Sequence, residues 1–333
     1  MSHFIVEATS ASGLVASALA ALADDRGDWT AVAPRGQPTR EFSDVTYTLT
    51  DVSLCAAWLP ERRLNYAFMV AEFVWILCGR ADVESIAHYN SGISRFSDDG
   101  RTFFGAYGPR WRDQLGGALS RLRGDPTTRQ AVITTWRPEY NEETGAKDGD
   151  GGDPVRLYME TRDVPCTVAT QYRLRGGVLD ASVFMRSSDA WLGLPYDVFN
   201  FASLQRAVAA ELGAEGGSLS VHIGSTHLYE RDLPRVREVL AARGAALGAT
   251  PDEASARERV LVPRPPGADC RRIAAAEEAL RRGRDFADAA DLLGDERGWL
   301  PYLEVLHWRN HRERWRVMGS FRELLPADAE RAP

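Results

Sequence analysis

The chain of 333 residues, 44% hydrophobic and 26% charged, is long enough to bury a sizeable core and has an ordinary globular composition. A net charge of -7 argues against a general nucleic-acid binder and leaves room for a local basic pocket around a small anion. Four widely spaced cysteines, Cys55, Cys78, Cys166 and Cys270, show neither zinc spacing nor a disulfide framework, which fits free thiols in a reducing cytoplasm and no metal site.

In chain order, the first residues carry no Lys or Arg and have Glu7 early, so nothing there reads as a targeting segment. The Ala-rich stretch 10–22 predicts a helix. Residues 35–40 form a turn-rich basic loop before a strand-like run at 43–52. Residues 64–79 predict a buried helix in which Glu72 is the only charge. Its most apolar part, 66–78, is too short to span a bilayer. An unpaired buried carboxylate is expensive, so Glu72 is either a satisfied structural group or a functional one. Residues 131–136 read as a strand, and 142–154, rich in Gly, Asp and Glu, as a mobile loop.

The stretch 165–229 concentrates the chemistry. Residues 167–175 and 178–186 are β-rich and separated by Gly176-Gly177, a strong hairpin signal. Such a hairpin brings Cys166 beside Arg186, and a neighbouring guanidinium favours the thiolate. From Val198, residues Phe201, Leu204, Val208 and Leu212 share a helical face that Gly213 can end. Asp197 then reads as a helix N-cap or as a functional carboxylate, and Asp189 as a cap or turn residue or a ligand contact. Residues 218–223 predict a strand leading to His227 and Tyr229. Helices are expected at 274–293 and 302–324, with their charges on a solvated face.

Pro165-Cys166 followed by Gln171-Tyr172, Arg186-Ser187-x-Asp189, Leu192-Gly193-x-Pro195 and His227-x-Tyr229, in this order, resemble the thymidylate synthase family over about 64–229. The resemblance implies an α/β fold of the α+β type, a large mixed sheet packed with helices, and a homodimer with sheets back to back. It implies one domain over 1–333, with an N-terminal extension at 1–30 and a divergent helical part at 231–333. The implied co-substrate is 5,10-methylenetetrahydrofolate.

The resemblance also implies site roles. Cys166 adds to pyrimidine C6, Glu72 is the general acid/base in Glu72-x-x-Trp75-x-Leu77-x-Gly79, and Tyr107 orders water. Arg186, Ser187, Gln171 and either Arg35 or Arg40 serve the nucleotide and its phosphate. Arg129 reaches the partner subunit's phosphate, with Gln130 in place of a second arginine. His227 and Tyr229 hold the sugar 3'-hydroxyl, and Asp189 and Gly193 lie on the folate side. Ile93 and Phe96 replace tryptophans of the folate pocket, and the C-terminus lacks a match to the family's closing tail. Asp197 stands where thymidylate synthases carry asparagine, as in the deoxycytidylate and cytidylate hydroxymethylases. The expected activity is therefore 5-hydroxymethylation of CMP or dCMP, with no nucleic-acid or membrane partner. The alternatives are a methylase or hydroxymethylase of UMP or dUMP, and a non-catalytic nucleotide-binding paralogue.

Overall fold

The computed structural model describes residues 4–136, 161–246 and 264–310. Its centre is a mixed eight-stranded sheet ordered β1 (Phe4–Ala8), β3 (Thr39–Leu49), β8 (Glu215–Tyr229), β6 (Val178–Met185), β5 (Thr167–Arg175) and β4 (Val132–Thr134). Strand β2 (Thr30–Val32) pairs with β3, and β7 (Ser188–Asp189) with β8. The expected N-terminal extension is built into this sheet: β1 runs parallel to β3. Behind it, α1 (Ala11–Ala23) starts at the Ser10 N-cap and buries Leu14, Leu19 and Leu22. Helix α6 (Leu233–Ala246) packs beside α1.

The sheet has two unlike faces because side chains alternate along a strand. Tyr47, Leu49, Ala181, Val183, Val221 and Ile223 point into the core. There α1 and α5 (Leu194–Glu211) cover them, and α2 (Tyr66–Leu77) packs on α5 as a further layer. The other face carries Thr46, Ser182, His222 and Phe184, the last two rings stacked at 4.9 Å. Phe184 and Val132 are each 43% exposed on it, and Ile5 69%. Helix α2 is apolar on nearly every side and correspondingly buried, from Tyr66 to Ile76.

The hairpin expectation holds. Gly176 and Gly177 adopt φ 56° and 80°, the left-handed pair a tight two-residue turn requires. Other boundaries shift for physical reasons. Helix α5 begins at Leu194, before Val198, because Pro195 is pre-organised for a first helical turn. Strand β8 starts at Glu215, before the expected 218: Gly216 and Gly217 let it run close to Val52 and Asp180, and Asp180 Oδ1 accepts the Ser218 amide hydrogen at 2.8 Å.

The C-terminal part corrects two expectations. The helix expected at 274–293 is two, α7 (Arg271–Arg281) and α8 (Phe286–Asp291), divided at Gly283 with φ 87°. Their charges do not simply form a solvated face. Glu277 is buried and takes Arg80, Arg281 and the Tyr89 hydroxyl. Helix α9 (Leu300–Asn310) buries Tyr302, Leu303, Val305 and Leu306. Trp299 and Tyr302 pack on Phe73 of α2, with ring centroids 6.0 and 5.8 Å away. Residues 142–154, and the expected helix beyond 310, lie outside the described residues.

Candidate active site

Cys166 immediately precedes β5 and Arg186 immediately follows β6. The Arg186 amide donates to the Cys166 carbonyl at 2.8 Å, closing the open end of the hairpin. The guanidinium is held in place by two carbonyls, Nε on Pro165 and Nη2 on Val164, both at 2.9 Å. From there Nη2 lies 3.5 Å from Cys166 Sγ. The adjacency expected from the hairpin is present, but its electrostatic consequence is not. Burial pushes the Cys166 thiol up from its ordinary pKa, against the pull of Arg186 and Arg35, with Asp197 and Asp163 adding to the rise. Desolvation of the thiolate outweighs the nearby cations.

Glu72 projects from α2 toward α5. Asn200 Nδ2 donates to Glu72 Oε2 at 2.7 Å. Burial raises the Glu72 carboxyl to about 7, eased by the Asn200 bond and reinforced by the charge of Asp197. Asp197 itself is no N-cap. Gly193 occupies that position, and Asp197 lies inside the first turn of α5. Its Oδ2 accepts from Ser188 Oγ at 2.8 Å. Burial lifts it too to about 7, against the Ser188 bond and with help from Asp189. Asp197 therefore stands within electrostatic reach of both Glu72 and the Cys166 thiol. Helix α4 (Tyr107–Gly124) adds Tyr107, whose hydroxyl accepts the Thr167 amide hydrogen at 3.3 Å. Burial first, then Cys166 and Asp197, raise this phenol above its usual range.

Strand β7 brings in the rest. Its pairing sets Ser188 against Thr226 and Asp189 against His227. Ser187 Oγ then lies 3.5 Å from His227 Nδ1, and the His227 and Tyr229 rings meet edge-on at 5.3 Å. Asp189 is a turn residue: Oδ1 accepts the amide hydrogens of Trp191 and Leu192 at 2.8 and 3.0 Å. Gly193 sits tightly there, where an added Cβ would lie 3.3 Å from both Asp197 Oδ2 and Ser188 Oγ.

The structure separates the arginines. Arg40 is buried, paired with Asp25 at 2.9 Å and Glu230 at 2.8 Å, and lies over the Trp29 ring. It is spent on structure. Arg35 is exposed on a left-handed turn with φ 52° and acts on the Cys166 thiol. Arg129 is exposed at the start of β4, outside this cluster. Gln171, expected on the nucleotide, lies opposite Val132 and Ser182 on the sheet face that no helix covers among the described residues, and its amide donates to the Arg129 carbonyl at 2.9 Å. Phe96, expected in the folate region, is 37% exposed beneath Arg95, while Ile93 packs on the core.

Sequence reasoning missed Asn200 and Ser188, the partners of the two raised carboxyls. The available signals were slight: Asn200 falls one helical turn after Asp197, and Ser188 is the unassigned position inside Arg186-Ser187-x-Asp189.

The open end of the β5–β6 hairpin thus holds a thiol and a fixed guanidinium, with two raised carboxyls on the neighbouring helices α2 and α5, and sequence comparison gives the family to which this arrangement belongs. The thymidylate synthase family model matches residues 35–249, and the chain belongs to the thymidylate synthase family. It is 32% identical over 217 residues to the deoxyuridylate hydroxymethyltransferase of Bacillus phage SP01, covering 60% of this chain and 53% of that protein. It is 32% identical over 201 residues to the protein of the same name from Pseudomonas phage M6, covering 58% and 53%. The chain thus spans about half the length of the curated relatives it matches.

Proposed function

We propose that this chain is a C5 hydroxymethylase of a pyrimidine nucleoside monophosphate, with cytidylate (CMP or dCMP) as its substrate. The observation that carries this reading is the Asp197 carboxyl, fixed by Ser188 and close enough to Cys166 and Glu72 to act on both. Cys166 adds to C6 as a thiolate, making C5 nucleophilic. Since burial disfavours that thiolate, the Arg186 guanidinium 3.5 Å away is the group that steadies it as it forms. Methylenetetrahydrofolate supplies the one-carbon unit. Glu72 and Tyr107 manage proton transfers and water at C5. Arg35, Arg186 and Ser187 bind the phosphate, and His227 and Tyr229 bind the sugar. Asp189, held rigid by two amides, and Gly193, which admits close approach, face the folate.

Asp197 chooses the base. When ionised it only accepts hydrogen bonds, taking the N4 hydrogen of cytosine and repelling O4 of uracil. When protonated it has one donor and one acceptor, which match N3 and N4 of cytosine and equally O4 and N3 of uracil. This favours a second reading, in which uridylate (UMP or dUMP) is accepted. It rests on the raised carboxyl of Asp197 and on the names of the two phage relatives.

The proposed assembly is a homodimer. The uncovered sheet face exposes Val132, Phe184 and Ile5, and a second copy related by a twofold axis would bury it. Arg129, at the edge of that face, would then serve the partner's phosphate. Incubation with CMP, dCMP, UMP or dUMP and methylenetetrahydrofolate, followed by mass spectrometry, tests the reading. Hydroxymethylated cytidylate is expected, and a methylated product or none refutes it.

A further inference from the structure

Asn200 lies one turn beyond Asp197 on the same face of α5. Its side chain is buried, and its two amide atoms are treated unequally. Nδ2 donates to Glu72 Oε2 at 2.7 Å, whereas Oδ1 is a buried acceptor with no hydrogen-bond partner among the described residues. A native interior rarely leaves such an atom unsatisfied without a use, and the roles assigned above give Asn200 none.

The amide can face Glu72 in two ways. Toward an ionised Glu72 it turns Nδ2 and leaves Oδ1 as an acceptor. Toward a protonated Glu72 it turns Oδ1 and leaves Nδ2 as a donor. Asn200 therefore converts the protonation state of Glu72 into the polarity of its second amide atom. A water that donates one hydrogen to Oδ1 and the other to the Glu72 carboxylate keeps its lone pair free for an electrophile.

We propose that Asn200 is the positioning residue for water addition, fixing Glu72 with one amide atom and holding the attacking water with the other. This rests on the hydroxymethylase reading above. The step balances without a redox partner. The water oxygen bonds to the exocyclic carbon at C5 as Glu72 takes one water proton, and the double-bond pair moves into the ring as an enolate-like anion. Collapse of that anion re-forms the C5–C6 double bond and expels the Cys166 thiolate.

Several titratable groups lie on the elements packed around Glu72. Asp197 on α5 acts on it directly, and Tyr196 feels its charge in return. Helix α4 contributes Tyr107. Helix α3 (Val83–Tyr89) carries Glu84, His88 and Tyr89, of which Glu84 pairs with Arg281 and Tyr89 with Glu277. On α7, Glu277 is held by Arg80 and Arg281. On α9, Tyr302 packs on Phe73, followed by Glu304 and His307.

The test compares wild type with Asn200→Leu and the isosteric Asn200→Asp, each checked for cooperative unfolding. If the Leu variant does not fold, the Asp variant carries the test. The readouts are hydroxymethyl product against pH, tritium release from C5-labelled nucleotide, and isotope-edited infrared titration of Glu72 without substrates. Loss of the amide donor is expected to raise the Glu72 carboxyl and move the acid limb of kcat upward. Hydroxymethyl turnover should fall at least about tenfold. KM for nucleotide should stay within about twofold and tritium release within about threefold at alkaline pH. A loss confined to KM, or equal hydroxymethyl turnover with an unmoved Glu72 titration, overturns the proposal. If wild type hydroxymethylates and the variants do so equally well, the water seat alone is lost. If wild type makes a methylated nucleotide, the hydroxymethylase reading falls and the water seat with it.

Discussion

Asp197 and Glu72 sit at the same unusual point, each lifted by burial to about 7. If Asp197 reads the base as proposed, substrate choice changes with pH. As pH falls through about 7, the protonated carboxyl gains the donor that uracil O4 needs. The uridylate-to-cytidylate ratio of kcat/KM is therefore expected to rise on acidification. An asparagine side chain presents a donor and an acceptor at every pH, so Asp197→Asn should flatten that dependence and shift the ratio toward uridylate by about 100-fold or more. Specificity constants for both bases between about pH 5.5 and 8.5 decide it. A ratio unmoved by both pH and substitution removes Asp197 from base recognition. For Glu72 the consequence is stability. A carboxyl raised from 4.5 to about 7 in the folded protein contributes stability fully present below its unfolded pKa and lost as pH rises through about 7. Glu72→Gln lacks this titration, so its unfolding midpoint should decline less between about pH 5 and 8 than that of wild type. Parallel curves would mean that Glu72 titrates alike in both states. Adjacency of Cys166 and Arg186 was legible in the sequence because Gly176-Gly177 sets the register between them. The direction of the thiol's shift was not, since burial is a property of the assembled fold. Nor was the contact of Asn200 with Glu72, which joins two helices 128 residues apart in the chain.

Among the elements, α2 is the one on which both halves of the molecule converge. One side meets α5 through Phe73 and Phe199 at 6.3 Å, and through Asn200 and Glu72. Another receives the C-terminal helices through Trp299 and Tyr302. This docking was hidden because the C-terminal sequence is dominated by charge. Ile273, Ala276 and Leu280 on α7 form an apolar stripe within an arginine- and glutamate-rich helix, and the stripe shows only once a partner surface is known. By contrast, α2 declared itself, being apolar throughout apart from Glu72. The C-terminal segment is thus a buttress for the helix that carries Glu72. Trp299→Ala, at a fully buried ring, is expected to cost about 3–5 kcal/mol and to lower kcat, since α2 loses the packing that holds Glu72. Urea unfolding and steady-state kinetics measure the two effects. A cost near zero would show that the C-terminal helices are an appendage.

At the scale of the whole molecule, the two faces of the sheet assign different work to the site residues. Cys166, Glu72, Tyr107, Asp197 and Arg186 gather beside the helical face, whereas Arg129 and Gln171 lie with the uncovered face, Gln171 bonded to the Arg129 carbonyl. Within one protomer Arg129 has no part in the thiol's surroundings. Within a twofold dimer built on the uncovered face, the same exposed arginine approaches the neighbouring copy, and Gln171 becomes the residue that steadies its backbone. A shared site makes a specific prediction for mixed protomers. Arg129→Ala supplies an intact Cys166, and Cys166→Ala supplies an intact Arg129. In the heterodimer, the site built on the intact Cys166 receives the intact Arg129, and the other site has neither. After co-refolding in equal amounts half the dimers are mixed, so about a quarter of all sites are complete, and about a quarter of wild-type activity should return. Each variant alone should remain low, and native mass spectrometry should verify the heterodimer. Verified heterodimers with activity no greater than the average of the two homodimers would place Arg129 outside the partner's site and leave the uncovered sheet face without a catalytic reason to pair.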